Sequence, residues 1–114
     1  MSWTVVFSVV RDDTSTAWHH ENIAAGSVDF GDLLTVSEYN AWKKTNYEDN
    51  NKFVSLERTE SDDETTLTEV RVFATSDDQA AFVAEDIVIA RTVIRTEYEE
   101  ANGITRSKVS ATET

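Results

Sequence analysis

The only imidazoles in this 114-residue chain are the adjacent pair His19 and His20, with Glu21 beside them. Histidine titrates near neutral pH, so either ring is a candidate for general acid–base work or for ligating a metal or haem iron. Adjacent residues do not share a face of a helix or strand, however. Two imidazoles that grip one metal from a helix sit three or four residues apart. The spacing therefore favours exposed rings on a polar connector. His19 and His20 stand as catalytic candidates and no metal site is expected. Trp18, next to them, reads either as a buried anchor or as the wall of a pocket mouth.

Carboxylates and aromatic rings give the second set of candidates. Glu97 falls inside an apolar arc between Val93 and Tyr98. A carboxyl buried there would have a raised pKa or would pair with a guanidinium, with Arg71 and Arg58 as the nearest prospects. Glu69 and Arg71 alternate with Leu67 and Phe73 on one strand face and pose the same question. Ion pairing across strands, or across a subunit boundary, is the plain account of them. Phe7, Tyr39, Trp42, Phe53, Phe73 and Phe82 would serve equally as a core or as the lining of an apolar cavity between sheet and helices. The ligand-binding candidates are thus Trp18, Tyr39, Trp42, Phe53, Phe73 and Glu97. The chain has no cysteine nucleophile, no Gly-rich phosphate loop and no Ser-His-Asp order, and no cofactor is expected.

The elements that must position these residues are read from periodicity and punctuation. Trp3 to Val10 is β-branched and aromatic, with apolar groups on both faces: Trp3, Val5, Phe7 and Val9 on one, Val6 and Val10 among the other. This predicts a strand covered on two sides. Ala17 to Ala25 is either a short helix between Thr16 and Gly26 or an extended connection. Ser37 to Tyr47 is a helix with Ser37 as cap, Glu38 at its positive end and Lys43-Lys44 at its negative end. Tyr39, Trp42 and either Leu34 or Val36 would turn inward. Lys52 to Glu60 and Thr66 to Thr75 form a hairpin across the acidic loop Ser61–Thr65. Ser76 caps a long helix whose stripe Ala80, Val83, Ile87, Ala90, Ile94, Tyr98 and Ala101 faces inward, with a break allowed at Glu85-Asp86. Asn102-Gly103-Ile104 closes it. Asn-Gly is also a hairpin signal and Thr92 to Glu99 alternates tolerably, so a strand competes there; the unbroken stripe favours the helix. Ile104 to Ala111 is a last, polar edge strand guarded by Arg106 and Lys108, with Thr112 to Thr114 a frayed tail.

The order β-α-β-β-α-β predicts an α+β fold, a ferredoxin-like antiparallel sheet with helices on one face. The length suits a single domain spanning residues 1–114. A strand apolar on both faces leaves a row that a monomer does not leave wet, and a second copy of the same sheet is its simplest cover. The formal charge of −12, from 22 acidic and 10 basic residues, argues against nucleic acid and anionic membranes as partners. No apolar run approaches the roughly 20 residues of a membrane span. Nothing at the start reads as a signal peptide, and the absence of cysteine fits a reducing, cytoplasmic setting.

Three segments together carry a family resemblance: Lys52-Phe53-Val54-Ser55-Leu56-Glu57, Val70-Arg71-Val72-Phe73-Ala74 running into Ser76-Asp77-Asp78, and Tyr98-Glu99-Glu100-Ala101-Asn102-Gly103-Ile104. They resemble the dimeric α+β barrel superfamily, and more closely its small members from marine metagenomes and phages. That superfamily includes antibiotic-biosynthesis-type monooxygenases, haem-degrading and haem-binding proteins, dehydratases and members without known activity. The resemblance thus implies fold and homodimerisation more strongly than function. The expected protein is a ferredoxin-like homodimer, joined through sheet faces, that holds a small apolar molecule between sheet and helices. The alternatives are a monooxygenase-like or haem-handling enzyme using His19 or His20 with Trp42, and a phage or structural interaction component.

Overall fold

The structure, a computed structural model, describes residues 2–24 and 35–114. Four strands, β1 (Trp3–Arg11), β2 (Phe53–Glu60), β3 (Thr66–Phe73) and β4 (Ile104–Glu113), alternate with helices α1 (His19–Ala24), α2 (Val36–Lys43), α3 (Ser76–Ala84) and α4 (Asp86–Ala101). The strands form one antiparallel sheet in the order β2-β3-β1-β4. This is the ferredoxin-like β-α-β-β-α-β arrangement that the element order predicts. The segment Val88 to Glu100 is helical, which decides against the competing hairpin.

The period of two sorts the sheet into two unlike faces. Val5, Val9, Leu67, Phe73 and Phe53 turn towards the helices and are buried. Phe53, Phe73 and Phe82 meet in tilted and edge-to-face contacts, with ring centroids 4.8–5.7 Å apart, a geometry set by the ring quadrupoles. Tyr39 from α2 and Val88 from α4 complete this cluster. A second cluster gathers Trp18, Val9, Leu67 and Ile104 at the other end of β1. The row Trp3, Val5, Phe7 and Val9 thus lies beneath the helices, and the alternate row with Val6 and Val10 occupies the uncovered face. A bulge between Phe53 and Ser55 shifts β2 by one residue. Phe53 and Leu56 consequently share the covered side, while Val54 is left exposed.

Helix ends depart from the sequence reading in detail. Thr35, not Ser37, caps α2: its hydroxyl accepts from the Glu38 amide at 3.2 Å, and the Glu38 carboxylate accepts from the Thr35 amide at 3.3 Å. That reciprocal pair satisfies two amides at once, which a cap at Ser37 could not do with the residues that follow it. The helix then widens into a π-turn over Lys44–Glu48. Thr75, not Ser76, caps α3 through the Asp78 amide at 3.1 Å. The chain breaks at Glu85, whose extended backbone (ψ 134°) separates α3 from α4. The connection after β1 is helical from His19, and its expected end at Gly26, like the inward Leu34, lies outside the described residues. The expected frayed tail is instead tied down. Thr112 and Glu113 pair with β1, and Ser2 and Thr114 exchange backbone hydrogen bonds of 3.0 and 2.8 Å.

The largest correction concerns α4. Of the apolar stripe from Ala80 to Ala101, Ile87, Ile94 and Tyr98 are half-buried and pack against the two clusters, but none is fully buried and Ala80, Val83 and Ala101 are exposed. The residues that α4 buries are Val88, Arg95 and Glu99, a stripe rotated by one residue, about 100° of helix. Glu97 consequently points to solvent.

Gly103 sits at φ +69° just past the end of α4, where a side chain is strained by its own backbone. A Cβ added there would meet Asp12 Oδ2 at 3.9 Å, an ordinary contact, so backbone strain alone sets the cost. Gly103→Ala should lower the unfolding free energy by about 1 kcal/mol in urea titration; an unchanged midpoint would contradict this closure of α4.

Candidate functional site

A network of charge lies under α4, where a hydrophobic core would ordinarily be. Glu69, on the covered face of β3, is 2% exposed. Three guanidinium groups hold its carboxylate. Arg58 Nε from β2 donates to Oε2 at 3.0 Å, Arg71 Nε donates to Oε1 at 2.9 Å, and Arg106 Nη1 from β4 donates to Oε1 at 3.1 Å. Arg106 also reaches Glu99 of α4 in a two-pronged pair: Nε donates to both carboxylate oxygens at 3.2 Å and Nη2 donates to Oε2 at 3.0 Å. One arginine thus ties the sheet to the helix, and this recruits Glu99 inward where an apolar pattern predicts Tyr98. Phe7 lies against both Arg71 and Arg106, 5.0 and 5.5 Å from ring centroid to guanidinium carbon. Such stacking suits arginine because its planar charge is weakly hydrated.

Burial alone would push the Glu69 carboxyl up; Arg71, Arg106 and Arg58 overcome it and hold the group well below the usual carboxylate range. His19 is 4% exposed, and neither ring nitrogen has a hydrogen-bond partner among the described residues. Burial, reinforced by the positive charges of Arg91, Arg95 and Arg106, pushes it down to about 4. It is therefore a neutral ring packed 5.5 Å from Tyr98. The void beside it is about 10 Å³, far too small for a haem macrocycle or a substrate. His20 instead faces a cleft.

Two clefts open on either side of Phe82. The first, about 390 Å³, lies between α3–α4 and the sheet. Val5, Phe73, Phe82 and Val88 wall it, Val83, Ile89 and Val93 form an exposed apolar rim, and Arg71, Arg91, Arg95 and Lys108 supply its polar groups. The second, about 380 Å³, lies between α2 and β2, with Tyr39, Phe53, Leu56 and Phe82 as walls and His20, Lys43, Arg58, Arg71 and Arg91 as polar groups. Both volumes fall within the range of small-molecule sites. Neither cleft is lined by a carboxylate among the described residues. Lys43 lies 3.9 Å from the Phe53 ring centroid, and burial pushes its ammonium down to about 8 although Glu48 opposes the shift.

The six ligand-binding candidates therefore do not gather round one site. Tyr39 and Phe53 line the second cleft and Phe73 the first. Trp42 stacks with Tyr39, Tyr47 and Phe82 at 5.6–6.3 Å. Trp18 is buried under the Arg11 guanidinium, 4.2 Å from the ring centroid. Glu97, expected as the inward carboxylate, is exposed, and its place is taken by Glu69 and Glu99. The pairing expected between a carboxylate and Arg58 or Arg71 does occur, but the carboxylate is Glu69 and the face is the helix-covered one. Among the described residues no three His, Cys, Asp or Glu side chains converge as metal ligands, and no helix is long and apolar enough to cross a membrane. Sequence reasoning did not single out Arg91 and Arg95, because a charged residue on a helix is ordinarily read as solvated. The alternation of Glu69 and Arg71 with Leu67 and Phe73 was the visible signal of a charged interior.

No protein-family model matches the sequence, and a search of curated proteins finds no relative. Solved structures do match. A candidate antibiotic biosynthesis monooxygenase from Caulobacter crescentus superposes with a TM-score of 0.57 at 14% identity, over 98% of this chain and 92% of that one. A candidate antibiotic biosynthesis monooxygenase from Nitrosomonas europaea superposes at 0.50 and 13% identity, over 99% and 88%. What the chain shares with them is the fold. At such low identity no residue role passes from one to the other.

Replacing Glu69 tests the network. Glu69→Gln keeps the shape but leaves three arginines around a neutral group, and should cost about 3 kcal/mol at neutral pH. Because the folded carboxyl is held below its unfolded value, the wild-type contribution is complete above the ordinary carboxylate range and fades as pH falls below it. The gap between wild type and variant in chemical denaturation should accordingly narrow below about pH 4. A gap that is small at pH 7, or that widens in acid, would contradict a charged Glu69.

Proposed function

We propose that the protein is a homodimeric small-molecule binder whose ligand lies in the cleft between α4 and the sheet. The observation that carries the binding reading is the first cleft itself, with buried apolar walls beneath an exposed apolar rim of Val83, Ile89 and Val93. Core packing alone would close such a space, since native interiors leave few voids larger than a water molecule. The likeness to candidate monooxygenases supports the fold of such a binder; oxygenation of the bound molecule is the enzymatic form of the same reading. The neutral, enclosed His19 does not favour a reading in which that imidazole ligates haem.

The dimer reading rests on the uncovered face of the sheet. Its rows, with Val6 and Val10 on β1 and Val70 and Val72 on β3, are β-branched and short, and Glu57 is their one charged residue. A surface so poor in charge on a chain of net charge −12 suits self-association, where acidic faces would repel.

Two measurements test this reading. Light scattering should give the mass of a dimer, and Val70→Lys should give a monomer with an unchanged far-ultraviolet circular dichroism spectrum. A monomeric wild type would remove the dimer. In calorimetry, the uncharged probe 2-naphthalenemethanol should bind once per chain. Ile89→Trp, which fills the rim, should weaken binding about ten-fold; binding that is absent, or indifferent to Ile89→Trp, would remove the cleft as the site.

A further inference from the structure

The cation content of the clefts specifies the class of ligand, an inference that rests on the first cleft being a binding site. The chain carries 22 acidic residues and only 10 lysines and arginines. Yet Lys43, Lys108, Arg58, Arg71, Arg91, Arg95 and Arg106, seven of those ten, line the spaces between sheet and helices. Among the described residues only Glu69 and Glu99 of the acidic residues line the same spaces, and Glu48 pairs with Lys43 at 3.9 Å from outside them. Chance placement on an acidic protein would not do this. A surface cation needs no partner, whereas a buried one is costly unless an anion meets it.

Glu69 and Glu99 are committed to Arg58, Arg71 and Arg106. Arg95 is different. It is 9% exposed and lines the first cleft, and among the described residues no carboxylate lies within ion-pairing distance of it and its Nε has no hydrogen-bond partner. Burial, together with Arg106, Arg71 and Arg91, pushes its guanidinium down to about 9, so it remains charged at neutral pH. A buried, charged donor without an acceptor is a costly feature for a fold to keep unless something else supplies the acceptor. The walls beside it are Val5, Phe73, Phe82 and Val88, which would leave an inorganic anion poorly solvated on that side.

We infer that the first cleft takes a small amphipathic anion, a ring or hydrocarbon body carrying one carboxylate-type head, with the head on Arg95 and the body against Phe73, Phe82 and Val88. Arg71 and Arg91 flank the head and Lys108 lies at the margin, all three within the same lining. The acidic exterior then works as a selector. It repels polyanions such as nucleic acids and gives little hindrance to a monoanion that buries its charge against the arginines.

The test compares 2-naphthoate with 2-naphthalenemethanol, which has the same ring and no charge, by calorimetry on the purified protein at low salt. 2-Naphthoate should bind at least about ten-fold more tightly, the usual size of one charge-assisted contact, and added salt should erode that preference. Arg95→Met should bring the ratio of the two affinities close to one and should not lower the melting temperature of the ligand-free protein, since it removes a buried cation that no carboxylate of the described residues pairs with and that Glu99 attracts only from beyond ion-pairing distance. A structural role for Arg95 predicts the opposite, a lower melting temperature with the ratio unchanged. Equal binding of both probes by the wild type overturns the anion inference and leaves the cleft reading standing. Binding of neither overturns both. Inorganic phosphate binding as tightly as 2-naphthoate overturns the amphipathic part, and this wild-type comparison holds even if Arg95→Met fails to fold.

Discussion

The structure depends on how a buried carboxylate is satisfied. Glu69 sits in the sheet, 2% exposed, with three guanidinium groups on it. Its partners come from β2, β3 and β4, so the ion pairs can form only when the strands are in register. Through Arg106 the same carboxylate is linked to Glu99 and hence to α4. Apolar packing of Phe53, Phe73 and Phe82 supplies bulk stabilisation at one end of the sheet, while the charged network fixes how α4 is rotated over the other. Ion pairs of this kind contribute little net stability compared with apolar replacements, and their value lies in excluding arrangements that would strand a charge.

That constraint explains what could be read from the sequence and what could not. Strand pairing was legible because Val5, Val9, Leu67 and Phe73 recur with a period of two, and Gly103 marks a helix end by the backbone geometry it permits. The rotation of α4 was not legible. Ile87, Ala90, Ile94 and Tyr98 make the better apolar stripe, and only the position of Arg106 across the sheet reveals why Glu99 goes inward; Arg95 follows one turn earlier on the same helix face, against the repulsion of Arg106. Glu97 was misplaced for the same reason, since hydropathy cannot distinguish a solvated carboxylate from one claimed by a partner distant in sequence. The caps at Thr35 and Thr75 were missed by one or two residues because each lies beside another polar residue able to serve as a cap.

The candidate site was less legible than the fold. Tyr39, Phe53 and Phe73 could be selected as aromatic lining, yet the residues that give the clefts their character are Arg71, Arg91, Arg95 and Lys108. A sequence of net charge −12 reads as acidic everywhere, and a linear sum cannot show that positive charge is collected inside. The histidines drew notice by type alone: His19 proves to be an enclosed neutral ring, and His20 one contributor to the wall of the second cleft. Fold likeness to candidate monooxygenases leaves the chemistry open, whereas the segregation of charge is what the inference of an anionic ligand rests on.

A crystal structure of the protein soaked with 2-naphthoate tests this account most directly. It should show the carboxylate within hydrogen-bonding distance of Arg95, the naphthalene ring between Phe73, Phe82 and Val88, and Glu69 still enclosed by Arg58, Arg71 and Arg106. A map in which Arg95 turns out to solvent or pairs with a carboxylate of its own chain, with the cleft closed by side chains, would contradict it.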